Sequence, residues 1–182
     1  IGITVLADSL KKEGLKADTA LTINDGILTV DNKSIAGKCL KTEGILRING
    51  GTFHLTNTGT CNLESGEIST SAGMKSDSLV LITGGEITLL NTSAAGKGIS
   101  SDGLLKMTGG ILKGTFSGDG VTFTNANNEQ DASSSKCLAS DGDMYLEGGN
   151  IISSSSGKAG KGIVSKGVLV IGDVNRGPSL DI

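Results

Sequence analysis

The sequence predicts an all-β fold, a parallel β-helix (solenoid) of about six coils, on three observations. The first is an internal repeat. One register recurs at Asp18, Glu43, Asp77, Asp102, Asp141 and Lys166, at spacings of 25, 34, 25, 39 and 25 residues. The second is a set of four apolar columns in that register. Three before the marker stand Leu15, Leu40, Met74, Ile99, Leu138 and Ile163; three after it stand Leu21, Leu46, Val80, Leu105, Met144 and Leu169. Five after come Ile23, Ile48, Ile82, Met107, Leu146 and Ile171, and ten after come Leu28, Phe53, Ile87, Leu112 and Ile151. The third is composition: 29 Gly against no Trp, one Tyr and three Phe. Such a core has to be built from stacked aliphatics rather than aromatic bulk.

The repeating segments run over 14–30, 39–55, 73–89, 98–114, 137–153 and 162–174. Inward positions two apart within each segment are strand periodicity. The doublets Gly50-Gly51, Gly84-Gly85, Gly109-Gly110 and Gly148-Gly149, with Asp25-Gly26 in the first coil, mark a corner that tolerates positive φ. A single coil cannot cover its apolar face, so the coils stack at about 4.8 Å. A β-propeller is excluded because a 25-residue unit is too short for a four-stranded blade. No helical periodicity is present. Insertions at Thr58–Ser71 and Ser117–Ser135 interrupt the period, and the second reads as a long loop leaving the stack. Residues 1–182 are expected to form one domain, part of a longer chain, since neither end carries a convincing cap.

Net charge is −3 and the pI about 5.1, which argues against a nucleic-acid surface. No apolar run approaches the roughly 20 residues of a membrane span. Cys39, Cys61 and Cys137 have no metal-ligand spacing. Cys39 and Cys137 replace glycine in one column, three coils apart, too far for a bridge.

The unit G-[LIM]-K-[AS]-D-x-x-L-x-I-x-G-G-x-[LI]-x-[LV], traced over about residues 13–174, resembles bacterial secreted carbohydrate-binding domains with repeats such as GIKSxGDLxITGGTxxV. The resemblance implies a right-handed, pectate-lyase-like β-helix, secreted or on the cell surface. It also implies calcium binding, and cellulose or pectic polysaccharide as partner. The sequence departs from that pattern in its long second insertion and at Lys166, where the acidic marker is lost.

Two polar columns carry the candidate chemistry. Carboxylates stacked about 5 Å apart resist ionisation unless a cation or lysine compensates. Lys16, Lys41 and Lys75 accompany the first three acids, two before each marker, but Ser100 and Ala139 stand beside Asp102 and Asp141. A second basic column, five before the marker, holds Lys38, Lys97, Lys136 and Lys161, interrupted by Glu13 and Ala72. One reading is mutual neutralisation of surface ladders. The other is a calcium site where lysine cover is poorest, at Asp102, Asp141 and Asp143, with Asp77 next. The lysines Lys38, Lys97, Lys136 and Lys161 would then meet a uronate polymer.

Tyr145, Phe116 and Phe123 are scattered rings and Phe53 falls in the core, so no aromatic platform for neutral sugar is expected. His54 reads as a surface strand residue, and Arg47 lies mid-strand without an acidic cluster. The expectation is a non-catalytic polysaccharide binder. A structural stalk or adhesin is the alternative, and a lyase the less favoured one.

Overall fold

The computed structural model describes residues 2–5, 10–173 and 175–182. Among them every regular element is a strand, and the long-range pairing is parallel. The first sheet has seven strands in stacking order: Gly2–Val5, Ile27–Asn32, Thr52–Asn57, Glu86–Asn91, Ile111–Phe116, Asn150–Ser155 and Ser179–Asp181. The second has six: Glu13–Ala17, Lys38–Thr42, Ala72–Ser76, Lys97–Ser101, Lys136–Ser140 and Lys161–Ser165. The third also has six: Ala20–Ile23, Ile45–Ile48, Leu79–Ile82, Leu104–Met107, Met144–Leu146 and Leu169–Ile171. The chain visits the sheets in rotation, as a parallel β-helix does.

Pairing follows the repeat residue by residue. Leu40 faces Met74, Met74 faces Ile99, and Ile99 faces Leu138. Leu46, Val80, Leu105 and Met144 stack likewise in the third sheet. The aliphatic columns are buried through the middle coils and form one continuous core. They open at the last coil, where Leu169 and Ile171 are 42% and 51% exposed. The corner between the third and first sheets uses left-handed glycine throughout, at Gly26, Gly51, Gly85, Gly110 and Gly149.

A further inward column lies beyond the four read from the sequence. Asn32, Asn57 and Asn91 stack at the end of the first sheet and are buried. Their amides span the corner into the second sheet: Asn32 Nδ2 donates to the Lys12 and Lys38 carbonyls, Asn57 Nδ2 to Ala72, and Asn91 Nδ2 to Lys97. Phe116 takes the place of asparagine in the next coil, fully buried. Its ring occupies space that a Cβ at Gly98 or Gly114 would need, so both flanking positions are glycine.

Neither insertion is a loop; both are antiparallel hairpins. The first pairs Asn62–Glu64 with Glu67–Ser69, the second Val121–Thr124 with Gln130–Ser133. In the second, Asn125 Oδ1 accepts the Asn127 and Glu129 N–H groups, closing a turn between alternating segments. Both leave the corner between the first and second sheets, from alternate coils. The other coils cross this corner by a short turn with a left-handed alanine, Ala36, Ala95 or Ala159. Ala36 N–H donates to the Thr60 carbonyl and Ala95 N–H to Asp119, tying each hairpin base to the turn beside it. The hairpins also meet at their tips, where Gly66 lies against the backbone of Asn125 and Ala126.

Leu105 is fully buried at the centre of its column. Leu105→Ala is expected to destabilise the fold by about 2–5 kcal/mol, read as a lowered urea or thermal midpoint. A loss below about 1 kcal/mol would contradict the packed column.

Candidate functional site

The outer face of the second sheet is basic. Its strands present two side chains outward, one five and one two residues before the marker, so Lys38 and Lys41 stand side by side. Repetition gives one column of Glu13, Lys38, Ala72, Lys97, Lys136 and Lys161, and a parallel one of Lys16, Lys41, Lys75, Ser100, Ala139 and Val164. The acidic markers run along the corner toward the third sheet.

The first four acids pair with the nearer lysine column, within a coil and across coils, and Asp141 pairs with Lys166 of its own column. Lys16 Nζ lies 3.0 Å from Asp18 and 3.2 Å from Glu43 in the next coil. Asp77 sits 3.8 Å from both Lys41 and Lys75, and Lys75 also pairs with Asp102. Lys166 Nζ lies 3.0 Å from Asp141. Hydrogen bonding to Asp18, then to Glu43, raises the Lys16 pKa.

This corrects the expectation that lysines desert Asp102 and Asp141. A lysine side chain is long enough to reach the coil above or below, so in-coil neighbours do not decide cover. The fourth calcium candidate is engaged too: Asp143 Oδ1 accepts the Val168 N–H at 2.9 Å and its Oδ2 the Tyr145 hydroxyl at 3.4 Å. Calcium takes about six to eight oxygens. Among the described residues no group of three or more His, Cys, Asp or Glu converges for a metal ion. Asp77, Asp102, Asp141 and Asp143 as placed do not fit a calcium cage.

The farther column behaves differently. Among the described residues, Lys97, Lys136 and Lys161 make no ion pair and no side-chain hydrogen bond, and Lys38 Nζ donates only to the Ala36 carbonyl, at 2.7 Å. The farther column therefore forms no ion pair with the acids, although Asp141 and Asp102 offset part of the positive charge around Lys97, and Asp141 part of that around Lys136. Burial, then the charges of Lys41, Lys75 and Lys97, lowers the Lys38 pKa to about 8, with Glu13 opposing. Burial, then Lys136 and Lys75, lowers Lys97; burial, then Lys161 and Lys166, lowers Lys136.

The two hairpins wall this column on one side. Ile68, Ser69 and Thr70 of the first border a groove of about 230 Å³ with Lys38, Lys75 and Lys97. Val121, Thr122 and Ala132 of the second border one of about 210 Å³ with Lys158 and Lys161. The walls were not readable in the sequence as more than insertions, although the alternating spacings of 25, 34, 25, 39 and 25 already put both at one corner.

Phe53 is buried in the core column as expected, and Phe116 and Phe123 are buried as well. Tyr145 is half-buried and has the Lys106 ammonium 5.9 Å from its ring centre. His54 is exposed on the first sheet's outer face, as expected.

Residues 32–120 match the model of a family described as carbohydrate-binding domain-containing protein. The match supports a carbohydrate-binding domain. The matched stretch includes Lys38, Lys75, Lys97 and the first hairpin. No curated protein and no solved structure matches the chain.

The Lys38 environment fixes a sign. Its pKa in the folded chain lies below the ordinary 10.5, so the charged form strains the fold at neutral pH. That strain is released as pH rises from about 8 toward 10.5. Lys38→Met is expected to stabilise the protein at pH 7 by on the order of 1 kcal/mol after screening, an advantage that shrinks by pH 10. Unfolding midpoints at the two pH values measure it; a lower midpoint for the variant at pH 7 would contradict the assignment.

Proposed function

We propose that this chain is a non-catalytic binder of acidic polysaccharide, with the polymer running along the stack over Lys38, Lys97, Lys136 and Lys161. The observation that carries the reading is that, among the described residues, these lysines make no ion pair, while Lys16, Lys41 and Lys75 of the neighbouring column are all paired. Holding like charges together in a partly buried column is unfavourable, and a ligand carboxylate on each sugar relieves it. The family match points to carbohydrate, and the burial of all three phenylalanines turns the choice from neutral toward acidic glycans.

The wider reading keeps the fold as a right-handed, pectate-lyase-like β-helix on a secreted or cell-surface protein, following the sequence resemblance. It makes no use of calcium, since the carboxylates are already held by lysines. Cellulose is the weaker candidate because it offers no anion. A stalk that only presents other domains would need no unpaired cations on one face.

Retention on immobilised polygalacturonate and on cellulose, with and without chelator, tests this. Wild type is expected to bind polygalacturonate, to release as salt rises, and to be indifferent to chelator. Lys97→Ala/Lys136→Ala/Lys161→Ala is expected to weaken binding by about tenfold or more. Equal retention of the triple variant would refute the lysine column, and chelator-sensitive binding would return calcium to the mechanism. No retention on any glycan would favour the stalk.

A further inference from the structure

The lysine column has one gap. At Ala72 the side chain ends at Cβ and is buried, while the coils on either side carry Lys38 and Lys97 in the same register. Those two lie two coils apart, about 10 Å along the stack. The missing side chain, with the first hairpin standing beside it, is what creates the groove of about 230 Å³. Three lysines line it, Lys38, Lys75 and Lys97, but only one acidic residue, Asp102, which pairs with Lys75. Lys38 and Lys97, neither in an ion pair, are left beside one open groove. Ser69, Thr70 and Ser100 add hydroxyl groups to its lining. An ammonium offers three donors, and Lys38 has committed one to the Ala36 carbonyl.

We infer that the groove over Ala72 is a subsite for a single oxyanion, a carboxylate or sulfate ester carried on a sugar ring, and that it sets the register of the bound polymer. The inference rests on the proposed polysaccharide reading and deepens it. Along Lys136 no groove interrupts the column, and at Lys161 the second hairpin borders a groove in which no residue of the column is missing. Here a hairpin wall, a floor at Ala72 and two lysines without ion-pair partners border room for one group. Neutral sugar gains little from such a space, because the ammonium groups would be desolvated without an anion to replace water. Ala72 is thus the specificity-determining residue, and its role is to be small.

The experiment separates pocket from charge. Ala72→Lys completes the ladder and adds a cation, so a general electrostatic surface predicts tighter binding; an occupied pocket predicts weaker. Affinities for polygalacturonate, dextran sulfate and neutral dextran would be measured for wild type, Ala72→Lys, Ala72→Leu and Ala72→Ser, with circular dichroism confirming the fold. Ala72→Lys and Ala72→Leu are expected to lose at least fivefold on the preferred anionic polymer, and Ala72→Ser to stay within about twofold. Ala72→Lys binding as tightly as wild type, or more so, overturns the subsite while leaving the Lys97/Lys136/Lys161 result to judge the wider reading. Should the larger side chains unfold the coil, the wild-type chain still decides. With ¹⁵N-labelled lysine, galacturonate monosaccharide or inorganic sulfate should shift the Nζ resonances of Lys38, Lys75 and Lys97 at lower concentration than that of Lys161. Uniform shifts at all lysines, or none with either anion, overturn the proposal, and the anion acting at lower concentration identifies the source.

Discussion

Parallel register is the constraint from which the rest of this structure follows. Each residue sits directly over its counterpart one coil away, at about the strand spacing, so every column must be compatible with itself. Leu, Ile, Val and Met satisfy this without aromatic bulk. Amides satisfy it by hydrogen bonding out of the column, as Asn32 and Asn91 do. Each also has its Oδ1 engaged, by the N–H of Ser34 or Ser93 in the short turn that follows. Asn57 stands where a hairpin replaces that turn, with Gly59 in place of the serine, and its Oδ1 is buried without a partner. The amide column is complete only where the corner is short.

Hydroxyls form another self-compatible column, one residue before the marker. Ser76, Ser101 and Ser140 are buried there, and their Oγ atoms donate to the carbonyls of Gly44, Ser78 and Gly103. Charges cannot satisfy the rule alone. The acids of the corner are tolerated because lysines of the adjacent column reach them both within a coil and across coils. The outer lysine column has no such partner, and this separates it chemically from everything else on the sheet.

Much of the architecture was legible because its period is short and its inward residues are chemically uniform. Leu15 through Ile163 could be read as one column before any coordinates. The Asn32, Asn57 and Asn91 column was equally periodic, fourteen after each marker. It was concealed by Phe116 in the fourth coil and by polarity, since a search for apolar repeats passes over a buried amide. The charge columns were legible as columns, but their pairing was not. Linear spacing shows which lysine shares a coil with Asp102, not that Lys75 reaches it from the coil before. The hairpins were visible only as lengths, and the Ala72 groove is made jointly by a missing side chain and a hairpin wall, neither of which a single sequence position encodes.

The three corners of the coil differ in what they tolerate. The turn between the third and first sheets depends on left-handed glycine, and the turn between the second and third is only two residues long in most coils. The remaining corner accepts five residues in one coil and nineteen in another without disturbing the pairing on either side. Differences in length between coils are thereby confined to a single longitudinal seam. Along that seam the chain carries its added walls, and the stack behind them keeps one register from coil to coil.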